Sequence, residues 1–327
     1  MTPIVTIDPF GPALSPVSVA ALAAVAWIYV HGHRRPRRLR PQPAIWQDAL
    51  FFLGLVLIAA ALNAPLAPAG ARLFSVHQVG HLLLRLAGPL LICAAQPWQL
   101  LRAALPRDAR RRLTGASRTP LLRVLRHPAA ATALLIAALW VWQVPAIYAL
   151  AGAIPALGLL AHTGMVAAGL WFFAILLDPR DPPEGARRGA RLLCGVVVIV
   201  SNILLGSLTT LKEMVLYGAP GLRGGLSALS DETMGGYTIW VPSSMIMIAA
   251  IILVFNGWNR AEERRWNARH AIMRQSNSAA LEFPETAEEL RLKVAKPNRD
   301  MARTLAFCVL AMFAIVIVTA VTVLSLN

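Results

Sequence analysis

The sequence predicts an all-α, polytopic membrane helix bundle of about eight transmembrane helices, with both termini outside the cytoplasm. Three observations carry that prediction. The 327 residues are 57% hydrophobic with a mean hydropathy of +0.59, above the ~45–50% apolar content of soluble domains. Apolar runs of ~20 residues, the length that crosses a bilayer, recur along nearly the whole chain. Lys and Arg alternate between connections: five, eight, four and ten in the first, third, fifth and seventh, against one, none and two in the second, fourth and sixth. Cytoplasmic loops carry such an excess, so the two tails, which hold no basic residue, fall on the other side.

The expected spans are 14–31, 47–66, 75–96, 129–150, 156–177, 190–211, 237–257 and 303–325. They make residues 1–327 a single integral membrane domain, with a basic cytoplasmic connection at 258–303 and an extra C-terminal span at 303–325. Within that connection, 259–274 reads as a basic amphipathic helix with Trp266 at the headgroup level. The stretch 284–296, acids first and bases last, suits a short helix and its dipole. The net charge of +15 follows from the loop bias, so no nucleic-acid partner is expected; lipid is. Cys93, Cys194 and Cys308 form no CxxC and act as small apolar residues near the cytoplasmic ends of their spans. No secretory signal is expected, since residues 1–13 hold no basic residue.

The third span is the unusual one. His77, His81 and Arg85 follow at intervals of four, on one helical face, and such side chains in lipid face an interior, a cavity or a partner. With orientation set by charge, His77 and His81 lie in the outer third of their span. Trp142, Gln143 and Tyr148 lie at the outer end of the fourth, and His162 two turns into the fifth. Glu213 and Met214 close the sixth, while Asp231, Glu232 and Met234 lie in the outer connection that follows it. His-x-x-x-His can offer two imidazoles to one metal, with His162 as a third. Met214 and Met234 are thioethers of the kind copper(I) accepts. Arg85 argues against a cation and asks for a carbonyl, a phospholipid, a haem propionate or a partner's carboxylate. Haem, ligated by His162 and one histidine of the third span, is the rival cofactor. Asn202 sits mid-depth and hydrogen-bonds between helices. No HExxH, GxSxG or phosphate-cradling glycine loop is present, so no catalytic residue is assigned. No lysine lies within a span, which excludes a retinal Schiff base.

Four motifs in this order, H-x-x-x-H-L-L-L at His77–Leu84, W-x-x-P-x-x-Y at Trp142–Tyr148, the lone His162 and D-E-T-M-G-G-Y-T-I-W at Asp231–Trp240, resemble the CtaG family over roughly residues 45–258. That family comprises polytopic bacterial membrane proteins implicated in assembling aa(3)-type cytochrome c oxidases. The resemblance implies a non-enzymatic assembly factor in the bacterial plasma (inner) membrane, helping copper insertion or holding an oxidase subunit. Its partners would be cytochrome c oxidase subunits or other assembly factors, and its only expected cofactor copper. The chain departs from the family pattern at Gly80, Arg85, Gln143, Ala161 and Glu232, where Gln, an apolar residue, His, an acid and Gln are expected. Two classes stay open beside it: a haem-binding membrane cytochrome, and a small-molecule or metal transporter, against which the shallow, one-sided polar residues argue.

Overall fold

The computed structural model describes residues 16–34, 43–63, 65–106, 108–110, 124–180, 185–218 and 227–275, then 288, 291, 294–296, 298–307 and 309–310. These residues are overwhelmingly helical and contain no strand. Two units are distinguished, 1–258 and 259–327.

In the first unit, α1 is Pro16–His33, α2 Ile45–Leu62, α3 Leu66–Gly70, α4 Phe74–Ala94 and α5 Trp98–Ala104. There follow α6 (Pro128–Trp140), α7 (Pro145–Ala153), α8 (Pro155–Leu176), α9 (Arg188–Thr210) and α10 (Ala228–Gln275), the last running on past this unit. Against the eight spans expected, five described helices are long and apolar enough to cross a membrane: α2, α4, α8, α9 and α10. A sixth is counted if α6 and α7 form one broken span. The apolar stretch of α1 is shorter, at Val17–His33. Most of the expected eighth span lies outside the described residues.

Two departures from expectation stand out. The fourth span, expected straight over 129–150, bends by 79° between α6 with its 3₁₀ turn Val141–Gln143 and α7. Val144 is extended at φ −69°, ψ 121°, as the residue before a proline prefers, and Pro145 starts the next helix without an N–H to be satisfied. The seventh span starts at Ala228, not 237, so Asp231 and Glu232 belong to the start of α10 rather than to a loop. α1, most of whose side chains are exposed or half-buried, is pinned to α2. Tyr29 stacks on Phe51 at 3.8 Å between centroids and donates to Asp48 at 2.6 Å. Asp48 also meets His33 Nε2 at 3.0 Å.

α4 is the central helix and it is not uniform. Residues Leu83–Ala87 form a π turn, in which Gly88 N–H reaches Leu83 O. Pro89 explains it. A proline has no N–H for the carbonyl four residues back, here Arg85, and its ring crowds that carbonyl; one widened turn relieves both faults. α8 closes against the same spot, since a side chain at Gly169 would collide with the Arg85 carbonyl and the Pro89 ring. On the other side α2 and α4 meet through Gly54 and Gly88. A Cβ on Gly54 would lie 2.8 Å from the Gly88 carbonyl, and one on Gly88 2.6 Å from Ile58, so small residues set the spacing. Around this spine Leu86, Leu90, Leu135, Phe172, Phe173, Val198 and Met247 form the main core.

At the end of the bundle where α4 and α8 finish, polar side chains hold main-chain carbonyls. Gln96, at φ 53°, occupies the left-handed position that glycine usually takes after a helix. Its amide donates to Cys93 O at 3.2 Å and Leu177 O at 3.1 Å. Arg191, only 4% exposed, donates to the carbonyls of Asp178 and Arg180, the latter at 2.9 Å.

In the second unit, the helix expected over 259–274 is seen as the continuation of α10 to Gln275, with Arg265 and Glu262 paired at 3.7 Å. Of the helix expected at 284–296 the described residues 288, 291 and 294–296 are helical, as are 298–307 and 309–310.

Candidate functional site

The site lies where α4 begins, and α4 cannot start itself. Its N-cap is Leu73, which has no side-chain acceptor, whereas the first turn of any helix carries unsatisfied N–H groups. Asp231 supplies the acceptor from α10. Its carboxylate takes Phe74 N–H at 2.7 Å, Ser75 N–H at 3.1 Å and Ser75 Oγ–H at 2.6 Å, and it is 1% exposed. Beside it Glu232, 2% exposed, pairs with Lys212 and accepts N–H groups from Leu216 (3.0 Å), Tyr217 (2.8 Å) and Gly218 (3.2 Å). One carboxylate thus anchors the histidine helix and the next folds the 212–218 loop over it.

On this frame the three histidines come together. His77 and His81 are edge to face with ring centroids 4.2 Å apart. His162, from α8, is 6.3 Å from His77 and 6.0 Å from His81. The bend before α7 carries Tyr148 to 5.3 Å from His77. Tyr148 also touches Phe74 (5.8 Å) and Tyr217 (5.1 Å), and Tyr217 stacks on Phe74 at 4.4 Å. Tyr217 O–H donates to Gln143 O at 2.7 Å. Burial, then the charge of Glu232 and the neighbouring Tyr148, push the Tyr217 phenol up to about 12, so it stays a donor throughout the physiological range.

His81 is 3% exposed and its Nδ1 has no partner among the described residues. A buried, unmatched imidazole nitrogen is costly as it stands and is free to ligate. Two imidazoles on one ion with ~2 Å bonds have centroids about 5–6 Å apart. The two separations to His162 are close to that, while His77 and His81 are too near and one ring must turn. No group of three or more described His, Cys, Asp or Glu side chains is disposed to hold a metal ion as the structure stands.

The remaining expected residues divide. Gln143 is 4% exposed and donates through Nε2 to Gln78 Oε1 at 2.8 Å. Gln78, 2% exposed, is a site residue that the sequence reading missed, although a glutamine inside an apolar run is itself a signal. Phe74, just ahead of the expected third span, was missed too. Trp142 packs against the Phe51–Ile92 side of the core, and Trp240 lies against Gly206. Glu213 is exposed, as are Met214 (69%) and Met234 (49%). Arg85 was expected in line with the histidines as a cavity floor or docking group. It lies within the π turn, is 1% exposed and donates Nη2–H to Asn202 Oδ1 at 3.0 Å. A surface partner has no access to it.

No curated protein and no solved structure matches the chain. A family model described as cytochrome c oxidase caa3 assembly factor covers residues 27–261, a match that starts within α1 and runs into α10. This membrane chain therefore belongs to the Caa3_CtaG family of cytochrome c oxidase assembly factors.

Proposed function

We propose that the protein serves oxidase assembly by holding copper(I) as cargo between His77, His81 and His162 and passing it to an oxidase subunit docked over the histidine end. The observation that carries this reading is the convergence of three imidazoles from two helices to within 6.3 Å. Neutral imidazoles suit copper(I), which accepts low coordination numbers and needs no charged ligand. The Lys and Arg asymmetry of the connections puts the histidine end outside the cytoplasm, where copper must reach an oxidase. Met214 and Met234, exposed near this end, are placed for a partner's approach rather than for the resting site. The alternative in which a partner's acid docks on Arg85 loses support from that residue's burial.

The haem alternative is disfavoured by geometry. α4 and α8 are in backbone contact at Arg85 and Gly169, about a turn beyond His81, and a porphyrin between His81 and His162 needs that space open. A transporter would need its polar groups along a path across the bundle, and these histidines cluster at one end.

Titration of purified protein with copper(I) against a chromophoric chelator tests the cargo reading. One copper(I) per chain is expected, with affinity falling on His81→Ala by more than the ~10–100-fold that loss of an outer-shell partner costs. Failure to compete for copper(I) at any chelator concentration rejects it, and an absorption band near ~410 nm in protein as purified would reinstate haem. In the bacterial host, deletion should lower oxidase activity and oxidase copper together, with partial rescue by added copper.

A further inference from the structure

We propose that the middle of the bundle is a binding site for a small monovalent anion of the chloride class, held by Arg85 and Asn202. This proposal does not rest on the copper reading.

Arg85 is the largest fully buried side chain in the described structure. It stands twelfth in the 21-residue helix α4, so about 15 Å of helix separates it from either end at ~1.5 Å per residue. A lipid headgroup does not reach that depth. Its guanidinium makes no ion pair among the described residues, and its one hydrogen bond is Nη2–H to Asn202 Oδ1. Nε and Nη1 are buried without a partner, and so is Asn202 Nδ2. The orientation of the Asn202 amide is fixed by chemistry, because the oxygen must face the guanidinium and the NH₂ must then face elsewhere.

What is left over is one-sided. Every unmatched atom of this pair is a donor, one of the two groups carries a full positive charge, and both residues are 1% exposed. A bare cation in so dry a place is among the costliest arrangements in a protein, while a cation paired and fully hydrogen-bonded is tolerable. Donors alone select an acceptor, and uncompensated positive charge selects an anion over water. Size narrows it further. With both residues 1% exposed, a monatomic ion needs far less space opened around them than a phosphate does.

The test uses full-length protein in detergent without copper. Chloride is raised from about 1 to about 100 mM against gluconate at fixed ionic strength, so that screening is constant and only specific binding to the folded state shifts stability. The thermal midpoint of the native protein should rise by about 3 °C for each tenfold increase above the dissociation constant. Arg85→Met should abolish the dependence. Asn202→Asp, which gives the guanidinium a built-in carboxylate, should fold at least as stably and also be chloride-independent. Bromide soaked into crystals of the native protein should give an anomalous peak within ~3.5 Å of Arg85 Nε or Nη1, the range of an N–H to halide bond. A native midpoint indifferent to chloride, a dependence that survives in either variant, or a site holding water only would overturn the proposal.

Discussion

The two ends of the bundle are fastened by opposite chemistry. Where α4 begins, the carboxylates of Asp231 and Glu232 accept main-chain N–H groups. Where α4 and α8 finish, the cationic Arg191 and the amide of Gln96 donate to main-chain carbonyls. For Asp231 and Gln96 the difference follows from helix polarity, because a starting helix presents bare N–H groups and partial positive charge and a finishing one bare carbonyls and partial negative charge; Glu232 and Arg191 hold the adjoining loops in the same sense. Charge inside this membrane protein is thus spent mostly on capping backbone. Arg85, halfway along, has a charge and no helix end to spend it on, which is why it stands out as a ligand site.

Four measurements can break or sharpen this comparison. Asp231→Leu removes the cap of α4 and strands two buried N–H groups; we expect a loss of about 3 kcal/mol, read as a lowered thermal midpoint, with copper(I) affinity falling alongside. Asp231→Asn keeps one good acceptor and should cost about 1 kcal/mol. If the two variants are equally mild, trans-capping is not what frames the histidines. At the other end Arg191→Leu should cost about 2 kcal/mol, less than Asp231→Leu because the carbonyls of the 178–180 segment can be rewetted, and it should leave copper(I) affinity within twofold. Equal losses of affinity at the two ends would show that the site senses global stability only.

A smaller effect concerns pH. Burial alone would raise the Asp178 carboxyl, but the hydrogen bonds and charge of Arg180, with Arg191 behind it, hold it below the usual carboxylate range. A carboxylate so lowered contributes stability that is complete above its unfolded value, near ~4, and is lost as pH falls through the folded one. The half-exposed pair keeps this below ~1 kcal/mol. Thermal midpoints of the native protein and Asp178→Asn should therefore differ slightly at pH 6 and converge towards pH 3. Smallest of all, Met214→Leu and Met234→Leu should leave resting copper(I) affinity within twofold, since both side chains are exposed while the histidine His81 is buried; a tenfold loss would bring a thioether into the site.

The class of the molecule and much of its site were legible in the sequence, for identifiable reasons. Apolar runs must be helices in lipid because every backbone group needs a partner, and the charge asymmetry of the loops let His77, His81 and His162 be placed at one depth before any coordinates. What escaped was geometry that one residue imposes on another far away. Pro89 widens the turn that contains Arg85, and Pro145 folds the fourth span so that Tyr148 swings to His77. A hydropathy window registers both prolines only as mild interruptions. Asp231 and Glu232 read as loop residues because carboxylates in a span look too costly; they are affordable because each is saturated by N–H groups from elements 14 to 157 residues away. Tyr29 likewise hid its role, since its partner Asp48 opens the next helix.

The Asp231 cap also sets a clock. The residue that completes the first turn of α4 is made 157 positions after Phe74 and 156 after Ser75, an interval of roughly 8–30 s at ~5–20 residues per second of synthesis. For most of that interval the helix bearing His77 and His81 has been made, and the residue that will finish its first turn does not yet exist. Completion of the frame around the histidine cluster is therefore a late event in biogenesis, coincident with arrival of the last helix of the first unit.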